Sequence, residues 1–335
     1  MVYFRKKVYN DKGDNTECLG GKLMKIAILI PCYNEEQTIG KVIRDFRNEL
    51  PYADIYVYDN NSKDNTAEIA KKNEAIVVNE YRQGKGNVVR SMFRDVEADI
   101  YIMVDGDDTY PAEFVKKLIE PILNGEADMV IGDRLSNGTY TKENKRPFHD
   151  LGNNLMRGLI GTLFKNEIND IMTGYRAFNR YFVKTMPVLS DGFEIETEIS
   201  IHALDKKFLL KEVPINYRDR PEGSESKLNT FKDGFKVIKE LVLLFKNYKP
   251  FACFSMISIL FLMLGLLVGM PVIFEFVKTQ YVSKIPSAIL AVGLIIVSML
   301  SLVCGVILDT IEKNNKMIYE LYLTRYREIH NKNLN

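Results

Sequence analysis

The chain lacks a net charge: 45 Lys and Arg residues against 44 Asp and Glu leave +1 at neutral pH. That balance excludes a nucleic-acid binder driven by overall basicity, although local patches remain open. Cysteine is scarce as well. Cys18, Cys32, Cys253 and Cys304 have neither metal-ligand spacing nor the density of a disulfide scaffold, and they read as reduced thiols in a cytosol-facing protein. Two phosphate-binding loops are also missing. A dinucleotide enzyme needs Gly-x-Gly-x-x-Gly after its first strand, where this chain has Pro31-Cys-Tyr-Asn-Glu-Glu36, and no Walker-type Gly-Lys-Ser/Thr loop occurs. Residues 1–23 have none of the apolar core of a signal peptide and read as an irregular N-terminal extension before Met24-Lys-Ile-Ala-Ile-Leu-Ile30.

Apolar residues are concentrated towards the other end. The runs 251–274 and 285–308 contain no charged side chain, and each exceeds the roughly 20 residues a helix needs to cross a bilayer. Joined by the short link 275–284, they predict a two-helix transmembrane hairpin. Lys232, Lys236, Lys239, Lys246 and Lys249 precede the first run, and Lys313, Lys316, Arg325 and Arg327 follow the second. The link holds only Lys278 and Lys284 as cations, so the positive-inside bias places both flanks in the cytoplasm. Just before the hairpin, Phe231, Phe235, Ile238, Val242 and Phe245 recur at helical spacing with lysines on other faces. That segment, about 228–250, predicts an amphipathic helix at the membrane interface.

Between residues 25 and 135, short apolar runs alternate with helix-like stretches. The pattern predicts strands over Lys25–Ile30, Asp54–Tyr58, Ala75–Val78, Asp99–Val104 and Asp128–Ile131, with helices over 36–49, 64–73, 85–97 and 111–124. Continuous rather than alternating hydrophobicity points to strands buried on both faces, and the intervening helices point to parallel pairing. The fold class is therefore α/β, a Rossmann-like, mostly parallel sheet with flanking helices.

Ligands of such sheets bind beyond the carboxyl ends of the strands. Here those ends carry Pro31 to Glu36, Asp59 to Ser62, Val104-Asp-Gly-Asp-Asp108 and Gly132-Asp-Arg134, so Asp59, Asp105 and Asp133 are expected along one rim. Ser62 and Asp64 read as turn formers or helix caps. Asp105 and Asp107 require more, because crowded carboxylates repel unless a proton or cation intervenes, and oxygen-only ligands suit Mg²⁺ or Mn²⁺. Gly84-Lys-Gly86 opens a helix, either as a simple turn or as a place where backbone N–H groups and Lys85 meet a phosphate or base. Further on, Arg134, Arg146, Arg176, Arg220 and Lys227 supply cations of the kind a phosphate acceptor needs. Arg157, Arg180 and Arg218 read as solvated surface groups.

Taken in order, Ile30-Pro-Cys-Tyr-Asn-Glu-Glu, Tyr58-Asp-Asn-Asn-Ser-Lys-Asp-Asn-Thr66, Gln83-Gly-Lys-Gly-Asn, Val104-Asp-Gly-Asp-Asp and Gly132-Asp-Arg134 resemble a family 2 glycosyltransferase with the GT-A fold. From Met24 to the hairpin the chain is similar to the polyprenyl-phosphate glycosyltransferases, relatives of dolichol-phosphate mannose synthase. The resemblance implies that Pro31, Tyr33, Glu35 and Asp59 hold the nucleoside, with Lys85 and Asp105 completing the nucleotide site. It makes Asp105 and Asp107 the D-x-D site for metal and diphosphate, and Asp107 and Asp170 the catalytic carboxylates. It makes Arg134, Arg146, Arg176, Arg220, Ser226 and Lys227 contacts to diphosphate or lipid phosphate. One departure is Thr109, where the family often carries a glutamine. Asp170 stays open between base and organiser, because a lipid monophosphate with a second pKa of about 6 arrives largely ionised.

On this resemblance, 24–227 is a GT-A catalytic domain, 228–250 the interfacial helix, 251–308 the membrane hairpin and 309–335 a cytoplasmic helical tail. The expected reaction is inverting, metal-dependent transfer from a nucleotide sugar, UDP-glucose or UDP-N-acetylglucosamine, to polyprenyl (undecaprenyl) phosphate in the cell membrane. The product would serve cell-envelope glycan assembly, and the protein would be a homo-oligomer with no nucleic-acid partner. Alternatives are a GDP-mannose donor, or a non-catalytic nucleotide-binding membrane scaffold. A processive polysaccharide synthase would carry Gln-x-x-Arg-Trp, and the chain has no tryptophan. A soluble sugar nucleotidyltransferase would need no hairpin.

Overall fold

The structure, a computed structural model, describes residues 8–9, 15–16, 18–19, 22–137, 157–158, 160–162, 164, 168–192, 194–219, 243 and 245–332. The chain divides into two compact units, Met1–Thr230 and Phe231–Asn335.

The first unit is built on a seven-stranded sheet. Its elements are β1 (Ile26–Cys32), α1 (Ile39–Glu49), β2 (Asp54–Asp59), α2 (Thr66–Lys72), β3 (Ile76–Asn79), α3 (Lys85–Asp95), β4 (Ile100–Met103), α4 (Val115–Leu123) and β5 (Met129–Asp133). They continue with β6 (Arg176–Asn179), α5 (Arg180–Thr185), α6 (Ile195–Asp205) and β7 (Leu210–Pro214). Spatial order is β7-β5-β6-β4-β1-β2-β3. All neighbours pair in parallel except β6, which runs antiparallel to both β4 and β5. The five expected strands and four expected helices are present, with ends displaced by up to a few residues. Within the segment expected to be irregular, residues 8–9 pair with 15–16 and 18–19 with 22–23, both antiparallel.

Burial explains why the central strands are continuously apolar. Ile26, Ile28, Ile30, Ile100, Ile102 and Val104 face α1 and α4, meeting Ile39, Ile43, Phe46, Val115 and Leu118 in one core. On the opposite face Phe178 of β6 packs edge-on to Phe93 of α3 and stacks on Phe182 of α5. β3 lies at the sheet edge, and its residues are accordingly half-buried or exposed.

The antiparallel β6 positions the site. Because it enters between two parallel strands from their carboxyl ends, Arg176 registers with Met103 of β4 and Ile131 of β5. The turn 170–175 is thereby delivered to the rim that carries Asp105 and Asp133.

The second unit contains α7 (Pro250–Thr279) and α8 (Ile285–Lys332), which among the described residues are the two helices long and apolar enough to cross a membrane. Thirty residues span about 45 Å at 1.5 Å per residue, enough for a hydrocarbon core of about 30 Å. They pack antiparallel: Ser258 and Ser298 share a hydrogen bond of 3.0 Å, Gly265 lies against Ile295, and Gly305 lies against Phe254. Most other large apolar side chains on both helices face outward, as lipid contact requires. Most of the expected interfacial helix over 228–250 lies outside the described residues.

Candidate active site

Four strand ends and the turn before β6 build the site. After β1, Asn34 turns through a left-handed conformation with φ 53°. Its side chain accepts from Lys63 N at 2.8 Å, while its own N–H donates to Ser62 Oγ at 2.9 Å. Glu35 N donates to Thr66 Oγ1 at 2.8 Å and Glu36 N to Asp64 Oδ2 at 3.1 Å. Ser62 and Asp64 therefore stitch the β1 and β2 loops together. Pro31, Tyr33 and Glu35 lie half-buried on this stitched wall. Asp59, at the end of β2, is 7% exposed; one carboxylate oxygen accepts from Ser62 N at 3.2 Å, and the buried Oδ1 has no partner. A buried acceptor left unpaired is costly, so this oxygen is suited to a donor N–H from a ligand.

Asn60 fixes the next loop. Its amide donates to the Glu80 and Arg82 carbonyls at 2.9 and 2.7 Å, and its oxygen accepts from Gly84 N at 2.7 Å. α3 then starts against the 190–191 segment, with Gly86 N donating to Asp191 O at 3.0 Å. A Cβ on Gly86 would meet Ser190 O at 2.1 Å, so only glycine permits this approach.

Lys85 points into the centre. Its ammonium donates to Asp105 Oδ1 at 2.6 Å and to Glu196 Oε1 at 2.5 Å, with the three side chains 9%, 23% and 13% exposed. Burial disfavours the ammonium, but the two carboxylates outweigh it and raise the Lys85 pKa. Glu196 is pushed up by burial, against the pull of Lys85. A Cβ on Gly106, the middle residue of the acidic turn, would meet Cys32 Sγ at 2.8 Å, so any larger residue there requires that side chain to shift. Asp107 is 5% exposed and accepts from the Thr109 hydroxyl at 2.6 Å. Thr109, standing where the resembled family often carries a glutamine, thus orients the second aspartate. Asp108 pairs with Lys41 at 2.7 Å.

Three of the residues expected at the site are enclosed in the fold. Asp133 caps the following turn, accepting from Leu135 N at 2.8 Å and Ser136 N at 3.2 Å, and is 1% exposed. Arg176, expected at phosphate, is fully buried and donates to the carbonyls of Ile171, Thr173 and Glu196 at 2.6, 3.0 and 3.0 Å. Burial lowers its pKa to about 10, and it serves as the bracket tying the 171–173 turn to the start of α6. Asp170, expected as catalytic, is 0% exposed, and its two oxygens clasp Arg134 at 2.7 and 2.9 Å. The carboxylate is thus held against the Arg134 guanidinium and backbone N–H. Arg134 itself is 8% exposed, its guanidinium lying 5.9 Å from the Tyr110 ring and 5.6 Å from the Tyr217 ring.

Arg146, Arg220, Ser226 and Lys227 lie outside the described residues. Of the arginines expected at the surface, Arg157 and Arg218 are exposed, but Arg180 is half-buried and pairs with Glu97. Glu196, between Ile195 and Thr197 in the Phe193-to-Ser200 stretch, was missed. Its only signal is that it is one of two acids in the first turn of α6, with Glu198, and nothing in the sequence separates the two.

The family model for glycosyl transferase family 2 matches residues 27–186. The glycosyltransferase AglJ of Haloferax volcanii is 33% identical over 290 residues, 85% of this chain and 93% of AglJ. The chain belongs to glycosyl transferase family 2. A dolichyl-phosphate hexose transferase of the same organism is 30% identical over 217 residues, 65% of this chain and 92% of that protein. Glucosyl-3-phosphoglycerate synthase of Mycobacterium tuberculosis, solved with Mn²⁺, UDP-glucose and phosphoglyceric acid, superposes with TM-score 0.53 at 22% identity, over 67% of this chain and 79% of that one. That likeness carries the GT-A fold. The chain is thus a GT-A glycosyltransferase related to dolichyl-phosphate hexosyltransferases.

Among the described residues no three His, Cys, Asp or Glu side chains converge as a metal cage. Asp105 and Asp107 still fit a hard cation that draws its other oxygens from substrate phosphates and water, as Mg²⁺ commonly does. Asp105 already carries a cation, the Lys85 ammonium.

Proposed function

We propose that the chain transfers a hexose from a UDP-sugar, glucose or N-acetylglucosamine, to polyprenyl phosphate, undecaprenyl phosphate in bacteria, at the cytoplasmic face of the cell membrane. The transfer inverts the anomeric centre, depends on Mg²⁺ or Mn²⁺, and yields a lipid-linked sugar for envelope glycan assembly. The observation that carries this reading is the pairing, in one family 2 chain, of a D-x-D turn with two helices long enough to cross a bilayer. A lipid acceptor explains why both are needed. The 33% identical and 30% identical relatives, the latter named for a dolichyl-phosphate acceptor, favour it further.

In this reading the stitched wall of Pro31, Tyr33 and Glu35 receives the nucleoside, and the unpaired Asp59 Oδ1 accepts from a base N–H. Asp105 and Asp107 would hold the divalent cation, which when bound neutralises charge on the departing diphosphate. Lys85 adds a second positive charge beside that diphosphate. Arg134, held rigid by Asp170, Tyr110 and Tyr217, faces the acceptor phosphate together with Arg146, Arg220, Ser226 and Lys227. The acceptor is already ionised and needs no strong base, which agrees with the enclosure of Asp170. Rate enhancement then rests on in-line positioning and electrostatic preorganisation.

The test supplies the purified full chain with Mg²⁺ or Mn²⁺, undecaprenyl phosphate and radiolabelled UDP-glucose, UDP-N-acetylglucosamine or GDP-mannose. Metal-dependent passage of label from a UDP-sugar into organic solvent is expected. Label from GDP-mannose alone would reassign the donor. Nucleotide binding with no labelled lipid from any donor would refute the acceptor and revive a scaffold.

A further inference from the structure

Asp105 and Glu196 come from distant parts of the first unit, yet their carboxylates converge on one ammonium. Glu196 is held there from behind, because Arg176 donates to its backbone carbonyl at 3.0 Å while gripping the 171–173 turn. Asp105 is fixed from the other side. Gly174 lies so close that a Cβ would meet Asp105 Oδ2 at 2.4 Å. Lys85 therefore sits between two immobilised carboxylates, at 2.6 and 2.5 Å. A metal-diphosphate site requires only one of them.

We propose that Lys85 is the resident cation of the donor site when it is empty, and that Glu196 is the carboxylate onto which its ammonium withdraws when a divalent cation binds Asp105. The inference rests on the metal-dependent donor reading given above. Its physics is competition for one oxygen: an ammonium and a divalent cation on the same carboxylate repel each other across a few ångströms of low-dielectric interior. A buried ammonium that gives up one carboxylate loses much of the charge compensation its burial demands. Glu196 removes that cost, because the ammonium can release Asp105 and remain hydrogen-bonded. The same movement keeps Lys85 beside the cation site, where a nucleoside diphosphate has its negative charge. Asp107 Oδ1, by comparison, accepts from the neutral Thr109 hydroxyl and N–H at 2.6 and 3.2 Å. Glu196 is thus a positioning residue that acts through Lys85.

The test measures Mn²⁺ itself, through loss of the free-ion electron paramagnetic resonance signal, on the full chain with and without UDP. Four proteins are compared: wild type, Lys85→Met, Glu196→Gln, and the double variant Lys85→Met with Glu196→Gln. Thermal unfolding confirms that each is folded. Without UDP, Lys85→Met is expected to bind Mn²⁺ more tightly by about tenfold or more, the scale of removing a unit charge in contact with the site. Glu196→Gln is expected to bind it more weakly, because the ammonium then keeps Asp105 as its carboxylate partner and is harder to displace from it. The double variant keeps the formal charge of wild type, so a net-charge effect predicts unchanged affinity, whereas relief of competition predicts tighter binding. With UDP, Lys85→Met should show a smaller gain in Mn²⁺ affinity than wild type. If neither Lys85→Met nor the double variant binds Mn²⁺ more tightly than wild type, the inference is wrong while the donor reading stands. If wild type binds no Mn²⁺ even with UDP, the donor reading falls and takes the inference with it.

Discussion

Gly174 offers a sharp probe of where the Asp105 carboxylate must lie. A Cβ there would stand 2.4 Å from Asp105 Oδ2, 2.8 Å from its Cγ and 2.9 Å from Oδ1. Positive-φ glycines among the described residues are Gly84 and Gly125, so alanine at 174 meets no left-handed backbone strain. The whole penalty falls on the carboxylate. Moving Oδ2 from 2.4 Å to ordinary contact near 3.4 Å displaces it by about 1 Å, and rotation about the Asp105 side chain carries Oδ1 off its bond to Lys85. A misplacement of about 1 Å in an active site costs on the order of 100-fold in rate, or about 2.7 kcal/mol of barrier. Gly174→Ala is therefore expected to lose about that much sugar transfer, with a higher Mn²⁺ requirement and a melting temperature close to wild type. Gly86→Ala is the contrasting control, because its Cβ would strike the backbone oxygen of Ser190 at 2.1 Å, and it should lose stability along with activity. Wild-type turnover and metal dependence in Gly174→Ala would refute the reasoning, since the observed carboxylate position would then be irrelevant to the reaction.

Other changes separate structure from chemistry. Asp170→Asn leaves Arg134 buried beside a neutral amide, and chemical denaturation should register a loss of about 3–5 kcal/mol; full stability with abolished transfer would instead return Asp170 to the role of base. Asp59→Asn replaces an unpaired buried acceptor with a donor, so calorimetry should find UDP binding weakened by about 1–3 kcal/mol with the fold intact, and unchanged affinity would remove Asp59 from the nucleoside site. The Glu80 carboxyl is lowered from 4.5 to about 2, chiefly by its hydrogen bonds from Arg82. A depressed folded-state pKa gives stability that is complete above the unfolded value and lost as pH falls through the folded one. The advantage of wild type over Glu80→Gln in unfolding experiments should therefore be constant above pH 4.5 and shrink towards pH 2; a difference that grows on acidification would contradict the sign.

Much of this architecture is legible in the residue order because it is local. β1, β4 and β5 are buried along nearly their whole length, so their apolar runs and intervening helices declare a parallel sheet. The D-x-D turn is equally local: Asp105, Gly106 and Asp107 follow β4 directly, and their charge crowding needs no distant partner to be noticed. β6 is different. Arg-Ala-Phe-Asn carries no run long enough to signal a strand, and only the gap between β4 and β5 makes it one. Its reversed direction then sets the surroundings of two residues, one that sequence reasoning placed at phosphate and one that it left open between base and organiser. Entering from the carboxyl end, Arg176 meets the carbonyls of its own turn and of α6 before it meets solvent. Asp170, in the same turn, faces Arg134 from the end of β5. Lys85 shows the same limit, because its second partner Glu196 lies 111 positions away. A cation between two acids is a property of the folded rim, and neither the Gly-Lys-Gly turn nor the first turn of α6 reveals it alone. The chemistry-bearing types were readable; which of them lie open at the rim, and which are enclosed and hold others in place, depended on the direction of one four-residue strand.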